Sequence, residues 1–218
     1  MNKGDIITIE LTFVNAFLVR VKEGYVLIDS GLGMHWTKLE NELISYGCLP
    51  DKLKLVIITH GDFDHAGTCA KLQEKYKIKV AIHKDDSLMV ENGLSLKRKA
   101  RTMSSRILSL ILRLFRGKFA FDRFKPDVYL TDGQNLEVYG FKAKVIHIPG
   151  HTKGSVGILT DDGDLFAGDT FINKRKPEIA NYIENQSELE KSIARLKMMN
   201  IRKVYPGHGK PFHMEEIT

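Results

Sequence analysis

The chain predicts an α/β fold, and three observations carry that expectation. Short apolar, β-branched runs alternate with stretches whose apolar residues fall at helical spacing. Strand after strand ends in a loop bearing histidine or aspartate, as though those loops met along one edge of a sheet structure. The 218 residues, 43% hydrophobic and 28% charged, suffice for a sizeable core in an ordinary globular chain. The most economical organisation is one domain over residues 1–218, with a basic and apolar helical insertion at about 94–125.

Taken in order, residues 6–11, 16–21 and 25–28 read as three strands, with turns expected at Val14-Asn15 and Glu23-Gly24. The third runs into Asp29-Ser30-Gly31-Leu32-Gly33, which on its own is equally well a plain turn; the full GxGxxG nucleotide pattern is absent. Trp36, Leu39, Leu43 and Tyr46 then recur at helical spacing, so residues 35–46 form a helix packed back on the sheet. Pro50-Asp51 ends it, and residues 55–58 form a buried strand. That strand delivers Thr59-His60-Gly61-Asp62-Phe63-Asp64-His65, which offers four metal-competent side chains in six residues; a helix is expected to start over 66–72. Groups crowded in this way repel or desolvate one another unless a cation collects them.

Residues 78–82 form the next strand, and His83 after it reads as a surface histidine. From Leu94 to Lys125 there are ten Lys or Arg against one acid, a local charge of +9 within a total of +6, so the rest of the chain carries −3. Within it, residues 106–116 are strongly apolar with arginines on one side. Three readings compete: a helix packed over the core or a dimer partner, a lid shaping a substrate pocket, or a peripheral membrane or nucleic-acid contact. No aromatics interleave the charges as a base-stacking platform requires, so nucleic acid is not the first choice.

Strands resume at residues 128–130, 136–138 and 144–148, the last ending in Pro149-Gly150-His151-Thr152. Residues 156–159 and 164–167 follow around a turn at Asp161-Asp162-Gly163, and the second runs into Gly168-Asp169-Thr170. Ser187-Glu188-Leu189-Glu190 looks like a capping box, opening a helix with Leu189, Ile193 and Leu196 as its buried stripe. A strand at 203–205 leads to Pro206-Gly207-His208-Gly209. Cys48 and Cys69 have no metal-type spacing, and two cysteines without a framework fit a reducing cytoplasm. The N-terminus lacks a signal-peptide layout, and no apolar run approaches the ~20 residues that span a bilayer.

Singly, each loop histidine or aspartate has a dull explanation. Together, His60, Asp62, Asp64, His65, His151, Asp169 and His208 are seven candidate ligands, more than the four of a closed structural zinc site. Seven suits two metals sharing a bridging carboxylate, each with a position left open for water.

In this pattern the chain resembles the metallo-β-lactamase-fold superfamily over nearly its whole length. Leu27-Ile28-Asp29-Ser30-Gly31 is similar to that family's first motif, Thr59 to His65 to the second, and Gly150-His151-Thr152 to the third. Gly168-Asp169 matches the fourth and Pro206-Gly207-His208-Gly209 the fifth. The resemblance implies an αββα sandwich, two mixed β-sheets flanked by helices, with the site at one edge. It also implies His60, Asp62 and His151 on one divalent ion, Asp64, His65 and His208 on a second, Asp169 bridging, and Asp29 holding the ligand loop from behind. Asp64 would double as catalytic acid/base. The chain departs at 62, where the common HxHxDH motif has histidine. Zinc is the first expectation, the harder, anionic carboxylate at 62 admits manganese or iron, and an Asp62 that does not bind, leaving only the second site filled, is the alternative.

The implied chemistry is hydrolysis, in which a hydroxide held between the two ions attacks a small ester, lactone or thioester. A phosphodiester drawn in by the arginines is the alternative, and a non-catalytic metal-dependent binding or sensor module comes from another class. The fold hosts many substrates, so it does not choose among these.

Overall fold

The computed structural model describes residues 5–93, 99–100 and 121–217. The apolar stretch at 106–116, with most of the expected insertion, lies outside the described residues.

Two mixed sheets stack face to face, with helices on their outer faces. In the first, β1 (Ile6–Leu11), β2 (Val14–Val21), β3 (Gly24–Ile28), β4 (Leu53–Ile57), β5 (Val80–His83) and β7 (Val128–Leu130) lie side by side in that order. The β1–β2 and β2–β3 pairs are antiparallel, while β3, β4, β5 and β7 run parallel. The second sheet has the order β14 (Phe212–His213), β13 (Lys203–Gly209), β10 (Asp164–Asn173), β9 (Val156–Thr160), β8 (Ala143–His147), and β11 (Glu178–Ile179) pairs with β10. Here only β10 and β13 are parallel. A short ribbon joins β6 (Lys99–Ala100) to β12 (Tyr182–Ile183).

Alternation of side chains sorts the core into three layers. From the first sheet, Leu18, Leu27, Val56 and Ile82 point outward to Leu39 and Leu43 of α1 (Trp36–Ser45) and to Leu72 and Tyr76 of α3 (Cys69–Tyr76). Their neighbours Phe17, Val19, Val26, Ile28, Leu55 and Ile57 point inward, against Val145, Ile158, Phe166 and Tyr205 of the second sheet. Beyond that sheet, Ile146, Leu165 and Val204 meet Leu189, Ile193 and Leu196 of α5 (Gln186–Lys197). The expected αββα sandwich is therefore observed. Because β3, β4 and β5 are parallel, as are β10 and β13, their C-terminal ends open along one edge, where parallel sheets present ligand-binding loops.

Several expected details are corrected. The first hairpin turns at Thr12-Phe13, and Val14-Asn15 already belong to β2. Val14 is core, and Asn15 donates to the carbonyls of Pro206 and Gly209, which ties the hairpin to the second sheet. Residues 136–138 are not a strand: Glu137–Tyr139 form a 3-10 turn, with the Glu137 N–H held by Asn135 Oδ1 and Gly140 left-handed at its end. The cap of α5 is Asn185, whose Oδ1 accepts from the Glu188 N–H, rather than Ser187. Among the described residues, no helix is long and apolar enough to cross a membrane.

Candidate metal centre

Most site residues lie at secondary-structure ends, whereas Asp169 and His208, expected just after strands, lie within β10 and β13. Asp29 follows β3 in the left-handed region (φ 59), which aspartate tolerates better than most residues. Its carboxylate accepts from the Thr59 N–H (2.8 Å), from Thr59 Oγ1 (2.8 Å) and from His65 Nδ1 (2.8 Å). The helix after β4 starts earlier than expected: α2 (Phe63–Ala66) contains Asp64 and His65, with Asp62 just before its first residue. Asp169 does not end its strand. β10 continues to Asn173, and its pairing with β13 breaks register around Gly168 (φ 50). A side chain on Gly168 would meet Thr59 Oγ1 at 2.6 Å, so glycine lets the two sheets close on each other here.

The four histidines are oriented by one rule. His65 gives its Nδ1 proton to Asp29, His151 to the Tyr182 carbonyl (2.6 Å) and His208 to the Phe13 carbonyl (2.6 Å). Thr59 Oγ1 spends its hydrogen on Asp29, so it accepts from His60 Nδ1 (3.0 Å). A carbonyl or carboxylate can only accept, so each Nδ1 carries a proton and each Nε2 is the nitrogen that faces inward.

The inward atoms converge. His60, Asp62 and His151 form one group with ligand atoms within 4.8 Å of one another, and Asp64, His65 and His208 form another. Asp169 lies between them, its carboxylate 3.3 Å from His65 Nε2, 3.2 Å from His208 Nε2 and 3.8 Å from His151 Nε2. Asp62 Oδ2 sits 3.2 Å from His151 Nε2 and 3.4 Å from His60 Nε2. Yet His60 Nε2, His65 Nε2 and Asp169 Oδ1 are buried and make no hydrogen bond. Buried polar atoms left unpaired at one point are costly, and a cation at their common centre would satisfy all three. The residues present therefore fit divalent metal ions. All seven sequence-derived candidates are brought together, and Asp29 backs them.

Electrostatics agree. Burial lowers the His65 pKa, but the carboxylates of Asp169, Asp29 and Asp64 outweigh it and raise the group well above 6.5. His208 is likewise raised by Asp169 and Asp64 against burial. Burial raises Asp169, and the charges of His208 and His65 overcome this, holding it well below 3.8. Without metal, protons on histidine neutralise the carboxylates.

His83 stays outside, stacked on His147 with ring centroids 4.2 Å apart, as a non-ligand reading expects. Sequence reasoning missed Asp86, which is buried beneath both ligand loops. Its signal was present: like Asp29, it is an acid just past a strand end. The Tyr182 and Phe13 carbonyls left no signal, because any residue supplies one.

Comparison with known proteins follows the same lines. The family model for the metallo-β-lactamase superfamily matches residues 9–208. The acyl-coenzyme A thioesterase MBLAC2 of Bos taurus is 26% identical over 93% of this chain and 75% of its own length. The hydroxyacylglutathione hydrolase GloC of Haemophilus influenzae is 28% identical over 55% of this chain and 50% of its own. Among solved structures, TTHA1623 in a di-iron-bound form superposes with a TM-score of 0.72 at 27% identity, covering 97% of this chain and 95% of that one. The di-zinc metallo-β-lactamase LRA-12 from an Alaskan soil metagenome shares the fold, with a TM-score of 0.69 at 19% identity over 94% and 76% of the two chains.

Proposed function

This chain belongs to the metallo-β-lactamase superfamily, and for this metallohydrolase we propose a small acyl thioester as substrate, ahead of other esters and lactones. The observation that carries the hydrolytic reading is the convergence of the candidate ligands on one buried point, where His60 Nε2, His65 Nε2 and Asp169 Oδ1 make no hydrogen bond. Thioester specificity is supported by the names of two relatives, one an acyl-coenzyme A thioesterase and one a hydroxyacylglutathione hydrolase. Phe13, half exposed and stacked beside His208 (centroids 6.4 Å), supplies apolar surface for an acyl group.

In this reading His60, Asp62 and His151 would hold one divalent ion and Asp64, His65 and His208 a second, with Asp169 placed between the two groups. Zinc is the first expectation, with manganese or iron admitted by Asp62. Ions bound there would lower the pKa of water toward neutrality and polarise a carbonyl oxygen. Asp64 Oδ2, 3.5 Å from His208 Nε2, lies on the less covered side of the cluster. It takes the proton released as water oxygen bonds to the acyl carbon. It then passes that proton to sulfur as the carbon–sulfur bond breaks, leaving a carboxylic acid and a thiol. The buried rings of His60, His65 and His151 close the back of the site to bulk water.

The test is metal analysis of the purified protein, followed by kcat/KM on thioester, lactone, ester and bis-p-nitrophenyl phosphate substrates. Two equivalents of metal with the thioester fastest is the expected result. Turnover of the phosphodiester alone would overturn the substrate assignment, and metal-free protein with full activity would overturn the mechanism.

A further inference from the structure

The Asp86 carboxylate lies at the end of the 3-10 turn after β5, is 1% exposed and belongs to none of the candidate ligand groups. Its Oδ2 accepts from the Gly61 N–H (2.9 Å) and from Thr152 Oγ1 (2.8 Å), and its Oδ1 accepts from the Gly154 N–H (2.8 Å). Gly61 stands between His60 and Asp62, and Thr152 directly follows His151. The three donors of one candidate ion are thus each a single residue from an atom that Asp86 holds.

The close approach is built in. A Cβ on Gly154 would lie 2.6 Å from the Asp86 carboxylate, so only glycine lets this loop reach it. Thr152 Oγ1 and its N–H also engage Ser155 Oγ (2.7 and 3.0 Å), which closes the 152–155 turn around the carboxylate. Asp29 makes the corresponding set of contacts elsewhere, to Thr59 and His65.

We infer that Asp86 is the positioning residue of the His60–Asp62–His151 group, clasping the two loops that bring these donors together from opposite sheets. The inference rests on the two-ion reading above. Asp29 orients His65 directly and reaches His60 only through Thr59, so Asp86 is the carboxylate that ties the His151 loop to the His60–Asp62 loop. Asp86 touches neither substrate nor ion. It sets the separation of His151 from His60 and Asp62, and has no hydrogen bond to Asp64, His65 or His208.

The test pairs Asp86→Asn with Thr152→Val, each near-isosteric, in stepwise cobalt(II) titrations followed by absorption. His208→Ala serves to assign which step belongs to which group. Outer-sphere losses at metal sites typically cost roughly 10–100-fold in affinity, and Asp86→Asn is expected to lose that much at the His60–Asp62–His151 step alone. The other step should stay within about threefold, and Thr152→Val should show a smaller loss at the same step. Equal weakening of both steps, or no weakening of the first, overturns the inference. Amide exchange on metal-free protein gives an independent readout. In Asp86→Asn, the Gly61 and Gly154 amides should exchange faster while the Thr59 amide, held by Asp29, keeps its protection; unchanged or uniformly faster exchange counts against the role. Wild-type protein that takes up fewer than two ions would sink the two-ion reading, and the exchange result would still judge Asp86.

Discussion

Position 62 holds aspartate where the related motif has histidine, and its Oδ2 sits within 3.4 Å of both His60 and His151 Nε2. As a ligand, this carboxylate would bring negative charge and oxygen hardness to its corner of the site. Replacing it by Asp62→His should shift competition between zinc and manganese toward zinc. It should also move the acidic limb of the pH–rate profile to lower pH, since an anionic ligand keeps bound water less acidic; an unmoved limb would count against this. Protonation gives a second residue-scale prediction. His65 and His208 have folded pKa values above the ordinary 6.5, so in metal-free protein their contribution is complete below about 6.5 and is lost as pH rises through the folded values. Asp169 is depressed below 3.8, so its contribution is complete above about 3.8 and is lost as pH falls through its folded value. Urea midpoints measured in chelator should therefore peak between those limits, and metal uptake at neutral pH should release protons. A flat profile would show that the cluster is not coupled in this way.

At the scale of elements, β10 carries the candidate ligand Asp169 in mid-strand. The break in register at Gly168 lets Asp169 turn toward the site while the strand continues to Asn173. Gly168→Ala forces a side chain into a left-handed position, costing about 1–2 kcal/mol. It also sets a methyl group against Thr59 Oγ1, the atom that holds His60. The denaturant midpoint should fall and metal affinity should fall with it; a variant with wild-type affinity would argue that Gly168 serves only the strand. Helix α5 was legible by its stripe, but its cap was not, because Asn185 and Ser187 are equally plausible caps until the backbone is seen.

For the whole molecule, the face between the sheets matters most, because the candidate ligands are divided across it. The loop of His60 to His65 leaves the first sheet, while His151, Asp169 and His208 belong to the second. Phe166 seals that face, 5.2 Å from Phe17 of the opposite sheet and 5.1 Å from Tyr205. Phe166→Ala is expected to cost about 3–5 kcal/mol in equilibrium unfolding, and to weaken metal uptake by loosening the register between the two ligand sets. Lost stability with unchanged uptake would mean that the loops alone define the centre.

Residue type and local spacing, read along the chain, were enough for the α/β class, the strands at 6–11 and 128–130, the α5 stripe and every candidate ligand. Those features depend on period, on β-branched runs and on chemistry-bearing side chains at strand ends, all of which are local. The tertiary structure alone decided which nitrogen of each histidine faces inward, where Asp169 sits in β10, and that Asp86, 25 residues from Gly61 and 66 from Thr152, joins their two loops. Those are settled by backbone carbonyls and by contacts between sheets, which have no local pattern and exist only once the two sheets have packed.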